Sequence, residues 1–305
     1  MKLGLIFAVC AGLTAMGAGI VSSNAAKKSL NLGLIQGVAS VFLAILTFAL
    51  AGGKILWTGS GHEIWINFFV FLAGAGNFVV FLLLERAMRY GHNGLIWSIV
   101  NSALIFPFLM GIVIFGVEAS VCRWLGAAAI VAGIFTAKMK KSGGGTTEEK
   151  GNDNSNRACM LWTLAAFLMA GITQSSVNIP SYLDGIGNIS NLQKGFVMQL
   201  GMIAAAAATL PFMLDLKELK RDWKPTVGMS LFLTVMNGLF LCVFLYSSCD
   251  LLKEAGAGAI AYPVIVGVTI TAFSLYSVTV LKEKLSVMTV VSTILTVCGV
   301  VMVAL

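Results

Sequence analysis

The chain has 305 residues, 58% of them hydrophobic and 11% charged, with a mean hydropathy of +0.92 and a net charge of +7. Soluble domains carry about a quarter charged residues, so this composition excludes an ordinary soluble fold. The positive charge does not point to nucleic acid, because Lys and Arg stand in loops beside apolar runs, where membrane orientation accounts for them.

Ten apolar runs are long enough to cross a bilayer as helices: 3–21, 31–51, 64–84, 93–115, 120–138, 158–177, 195–214, 226–247, 257–280 and 285–305. They lack the polar–apolar alternation of porin strands. The first run follows a lone Lys2 and has the make-up of a cleavable signal peptide, with Cys10 raising a lipoprotein site as a further alternative. It is read as a retained helix because the repeat described below requires it. Small residues four apart, Ala8/Gly12, Ala15/Gly19 and Gly33/Gly37 in the first two runs and Ala129/Gly133 in the fifth, predict close helix packing.

Polar side chains within apolar runs are costly and turn inward, to line a cavity or to bond across helices. The third run carries Asn77 and ends at Glu85–Arg86. The fourth carries Trp97, Ser98, Asn101 and Ser102, with Pro107 as a kink site. Gln174, Ser175, Ser176 and Asn178 follow in the sixth, Gln199 in the seventh, Asn237 in the eighth, and Tyr262 beside Pro263 in the ninth. Trp97 and Asn101 share a helical face, as do Gln174 and Asn178. An aromatic ring beside an amide can stack on a sugar or ring face and bond its hydroxyls. Asn77, Trp97, Ser98, Asn101, Gln174, Asn178, Asn237 and Tyr262 are therefore the candidate substrate-binding residues.

No Asp or Glu falls in the middle of a run, so no proton-coupling carboxylate is evident. The six Cys lack metal-ligand spacing, and His62 and His92 have no acidic cluster beside them; no metal site or cofactor is expected. No nucleophile elbow, zinc-protease motif or P-loop is present, so an enzyme is not expected.

The polar stretch 139–157 divides the runs five and five, into halves 1–138 and 158–305. A shift of 165 residues brings Gly91 onto Gly256, Trp97 onto Tyr262 and Glu118 onto Glu283; Asn77 and Asn237 match at 160, which implies a five-residue insertion after Asn237. Each half ends in a tight Glu-bearing turn and a last helix, the Glu placed to favour the positive end of the helix that follows. Five runs per half make the second half enter the membrane from the opposite side. The expected fold is thus an all-α membrane protein of ten transmembrane helices in two inverted five-helix repeats, an arrangement typical of carriers. Loops on the linker side hold fifteen of the twenty Lys and Arg and the other side five, which places the linker in the cytoplasm and both termini outside.

The segment 99–137, with Gly116-Val117-Glu118, then Trp124-Leu125-Gly126 and a small-residue helix, resembles the end of an EamA-type repeat of the drug/metabolite transporter superfamily. The segment 259–303 is similar to a second copy, in which Leu281-Lys282-Glu283 keeps only the Glu. The resemblance implies a plasma-membrane secondary carrier for a small metabolite (sugar, amino acid, nucleoside-like compound or drug), with substrate bound between the repeats. A second copy of the chain, as a homodimer, is the one protein partner considered. The alternative is a membrane scaffold or complex subunit that transports nothing.

Overall fold

The computed structural model describes residues 1–53, 61–116, 118–139, 153–179, 190–213, 216–255, 261–283 and 287–304. These residues are helical almost throughout, with no strand among them. The helices are α1 (Lys2–Lys28), α2 (Leu32–Leu50), α3 (Gly61–Tyr90), α4 (Asn93–Val113), α5 (Val121–Met139), α6 (Asp153–Asn178), α7 (Asn191–Met213), α8 (Leu216 to Glu254, in three pieces), α9 (Ala261–Thr279) and α10 (Val287–Ala304). Among the described residues six helices are long and apolar enough to cross a membrane: Lys2–Lys28, Leu32–Leu50, Glu63–Tyr90, Asn93–Val113, Arg157–Val177 and Asp222–Cys249. The architecture is that of a multi-pass helical membrane protein.

Local chemistry sets the helix ends. Lys27 and Lys28 occupy the last turn of α1, where the dipole favours cations, and Ser29 ends it in the left-handed conformation at φ 51. Asn31 caps α2, its Oδ1 accepting from the Leu34 N–H at 3.0 Å. Pro107 has no N–H to donate to the carbonyl of Ala103, and α4 tightens into a 3-10 turn over Ser102–Leu104, halfway along its length. Pro263 is the third described residue of α9, which is traced from Ala261.

Helix α8 is regular over Leu216–Gly238, widens into a π stretch over Leu239–Leu245, and resumes as Tyr246–Glu254. The widening begins two residues past Asn237.

The helices pack in a closed circuit: α1–α9–α4–α6–α3–α7–α2–α8 and back to α1. Helices α5 and α10 pack on each other outside it, joined to it mainly through α9 and α4. Small residues set the closest approaches. A side chain on Gly74 would collide with the Met198 carbonyl and one on Gly201 with the Phe71 carbonyl, which brings α3 and α7 nearly backbone to backbone. Gly126 and Gly299 do the same for α5 and α10: a Cβ at Gly126 would lie 2.7 Å from the Gly299 carbonyl oxygen. The pairs Ala8/Gly12, Ala15/Gly19 and Ala129/Gly133 each have their glycine against a neighbouring helix: Gly12 under Val268, Gly19 under Phe273, Gly133 against Thr296.

Hydroxyls bind these seams. Thr269 donates to the Gly12 carbonyl (3.0 Å), Ser230 to Ile35 (3.1 Å) and Ser292 to Gly133 (2.7 Å).

Several packed pairs run antiparallel, among them these three. Ser40 meets Met202 while Phe48 meets Phe196 (α2 and α7); Gly94 meets Ser277 while Trp97 meets Phe273 (α4 and α9); Gly126 meets Gly299 while Gly133 meets Ser292 (α5 and α10). By the same reading α3 and α7 are parallel, as are α2 and α8, α1 and α9, and α4 and α6.

The two ends of the bundle differ. At the linker end, where α5 stops and α6 begins, one cluster joins α1, α2, α3, α4, α6, α8 and α9, including Val21, Ala25, Leu84, Ala87, Trp97, Leu233 and Phe273. At the far end the packing is split. Ala8, Ala11, Leu245, Leu252 and Ile265 form one cluster on α1, α8 and α9, while Ile66, Val70 and Val197 form another on α3 and α7.

Candidate functional site

Lipid-facing and inner faces separate by helical geometry, at about 100° per residue. Phe68 (48% exposed), Val235 (58%) and Ile172 (58%) mark the lipid faces of α3, α8 and α6. Asn77 is nine residues, about two and a half turns, past Phe68, and so lies on the opposite side of α3. Asn237 and Gln174 each stand two residues, about 200°, past Val235 and Ile172. All three amides are half-buried and face into the circuit. Asn101 sits at the middle of α4, beside the 3-10 turn. Its Nδ2 donates to the Trp97 carbonyl at 2.9 Å, which leaves its Oδ1 for another partner.

Trp97 is 5% exposed, tilted against Phe273 at 5.1 Å between ring centroids, and close to Gly19 of α1. Its indole thus spans α9 from α4 to α1. The Nε1 donor is buried with no hydrogen-bond partner among the described residues, as is the Ser274 hydroxyl on the adjoining turn of α9. A buried unpaired polar group costs about 1–3 kcal/mol, so such atoms call for a water or a ligand. Ser98 is fully buried and donates to the Gly94 carbonyl at 2.8 Å; it packs α4 and offers no donor. Asn178 and Tyr262 belong to α6 and α9, but their side chains lie outside the described residues.

Four polar residues that the sequence reading passed over are also turned inward or bonded between helices. Asn24 of α1 donates to the Tyr276 hydroxyl of α9 at 3.1 Å. Gln36 of α2 is 1% exposed, nine residues before the lipid-facing Ile45, with no partner for Nε2 among the described residues. Asn67 of α3 is 3% exposed, with neither amide atom paired among them. Gln36 and Asn67 meet the same criterion as Asn77, an amide within an apolar run. For Tyr276 no pattern in the sequence gives the signal, since aromatic residues are common in such runs.

Charge is also placed differently from expectation. Helix α3 starts before the predicted run and ends after it, so Glu63 and Glu85 are both helical and 5% exposed. Glu63 accepts from Gln193 Nε2 of α7 at 2.8 Å. Glu85 pairs with Arg89, one turn on, and its chain neighbour Arg86 lies over the Trp162 ring at 5.0 Å. Glu283 is bonded to the other half of the chain rather than to a described residue of the helix that follows it. Its carboxylate accepts from the Asn93 N–H (2.9 Å) and the Gly94 N–H (3.2 Å), at the start of α4 in the other half. Among the described residues no group of three metal-ligating side chains comes together.

No protein-family model matches the chain, and no curated protein matches it in sequence. The resemblance to EamA-type repeats therefore rests on the motifs at 99–137 and 259–303 alone.

Proposed function

We propose that the chain is a secondary carrier of the EamA type. Two five-helix halves, 1–138 and 158–305, cross the membrane in opposite senses and hold a small metabolite between them. The observation that carries this reading is the pattern of helix partners. Numbering each half one to five, every link of the circuit has its counterpart with the halves exchanged: α3–α6 answers α8–α1, α3–α7 answers α8–α2, and α1–α9 answers α6–α4. The remaining links, α2–α7 and α4–α9, and the outer pair α5–α10 join a helix to its own equivalent, and all three are antiparallel. A two-fold axis in the membrane plane generates this pattern, and substrate sites of inverted-repeat carriers lie on that axis near the midplane.

The site proposed is the inner face formed by Asn77, Trp97, Asn101, Gln174 and Asn237, beside the broken turn of α4. Amides and an indole N–H, with no carboxylate among them, suit a neutral or zwitterionic polar metabolite with hydroxyl, carbonyl or carboxylate acceptors. The excess of Lys and Arg on the linker side supports a cytoplasmic linker in the plasma membrane.

Counterflow of labelled sugars, amino acids and nucleosides into proteoliposomes tests the reading. Saturable uptake that depends on preloaded substrate is the expected result. Well-folded protein that moves nothing in the panel, and whose unfolding temperature no metabolite raises, would favour the scaffold instead.

A further inference from the structure

Two independent asymmetries point the same way. The first is in packing. Helix α1 touches α3 across the circuit, and one apolar cluster seals the linker end. The equivalent pair, α6 and α8, makes no comparable contact among the described residues, and the far end is held by two separate clusters. The second lies in the paired Glu turns. A left-handed residue stands two positions before Glu118 (Gly116, φ 66) and one before Glu283 (Lys282, φ 55). Glu283 is half-buried, its own N–H tied back to the Ser277 carbonyl at 3.0 Å, and its carboxylate grips the first two N–H groups of α4. Glu118 is exposed. The positions equivalent to Asn93 and Gly94, 258 and 259, lie outside the described residues.

We propose that Glu283 is the latch of the linker end and that the structure is the form open away from the linker. This rests on the carrier reading: the latch closes and releases as the halves rock. Opening toward the linker requires α4 to move relative to the α9–α10 turn, and the carboxylate must release the Asn93 and Gly94 N–H groups. Charge-assisted bonds to a helix N-terminus hold that junction, and no other charged group among the described residues is bonded across it.

Cys159 is a native reporter. It is 7% exposed at the start of α6, with its Sγ 3.8 Å from the Ala87 carbonyl and directly against Gly91, in the loop that leads into the latched N-terminus of α4. The full chain would keep Cys159, and the other five cysteines would be replaced by alanine. Maleimide labelling in detergent then reads the latch. E283Q should raise the labelling rate about tenfold, the scale of losing one charge-assisted hydrogen bond, and E118Q should leave it within about twofold.

Asn93→Pro is the second variant. It deletes one latched N–H, yet proline suits the first position of a helix and the extended His92 before it (ψ 113). It should also raise the rate. Unchanged labelling in E283Q and Asn93→Pro, or an equal rise in E118Q, would overturn the proposal. Counterflow on the same proteins separates the two readings. Latch-dependent labelling without flux in the parent sinks the carrier and keeps the latch; flux in the parent with unchanged labelling does the reverse.

Discussion

At the scale of single residues, Trp97 joins packing to the proposed site. Its ring is held by Phe273 and Gly19, while its Nε1 donor has no partner among the described residues. Trp97→Phe keeps a ring in the seam and removes the donor. Stability should change by no more than about 1 kcal/mol, because the lost packing offsets removal of an unpaired group. Transport or ligand affinity should fall about tenfold. Parallel thermal-shift and counterflow measurements check the pair of outcomes, and equal losses in both would make Trp97 structural. Ser29 gives a purely conformational prediction. At φ 51 it holds a conformation glycine adopts without strain, so Ser29→Gly should stabilise the purified protein by up to about 1 kcal/mol in a denaturant or thermal titration. The amides Asn77, Asn101, Gln174 and Asn237 were legible in the sequence because a polar group in an apolar run must turn inward. What each one bonds was not. Ser98 and Asn101 both donate to carbonyls of their own helix, a choice made by rotamers that spacing does not encode.

Among elements, the helices were the most legible part of the molecule. The described residues of each run are helical almost throughout, and six of the helices are long and apolar enough to span, because a backbone in lipid has no other way to satisfy its own polar groups. The boundaries moved where amphipathic ends prolong a helix beyond its apolar run, as at Glu63 and Arg89 of α3. Pro107 was legible as a kink, and the break sits one turn before it. The glycines that bring helices together give a graded test. Gly201→Ala drives a methyl into the Phe71 carbonyl and should destabilise by about 1–3 kcal/mol, whereas Gly228→Ala, with nothing within 4 Å, should be neutral or slightly stabilising. Melting temperatures of the two purified variants decide it. Near-equal values would mean that the contact of α3 and α7 is looser than described.

For the whole molecule, the division into five and five was read from one polar stretch, and the sense of the second half from an odd number of runs. The circuit of eight helices with an outer pair was not legible, since the order of neighbours depends on contacts between residues far apart in sequence. The directions of packing predict sidedness. A cysteine at Lys28, at the end of α1, and one at Ala255, after α8, are both exposed and lie at opposite ends of the bundle. In intact cells an impermeant maleimide should label Ala255→Cys and reach Lys28→Cys only after permeabilisation; the reverse pattern would invert the orientation, and labelling of both in intact cells would refute opposite insertion.

The wide turn of α8, Leu239–Leu245, has no matching irregularity in α3. On the carrier reading proposed above, two interchangeable copies would rest with equal ease facing either compartment, and a widening confined to one of them would remove that degeneracy and set a default pose even with no cargo aboard.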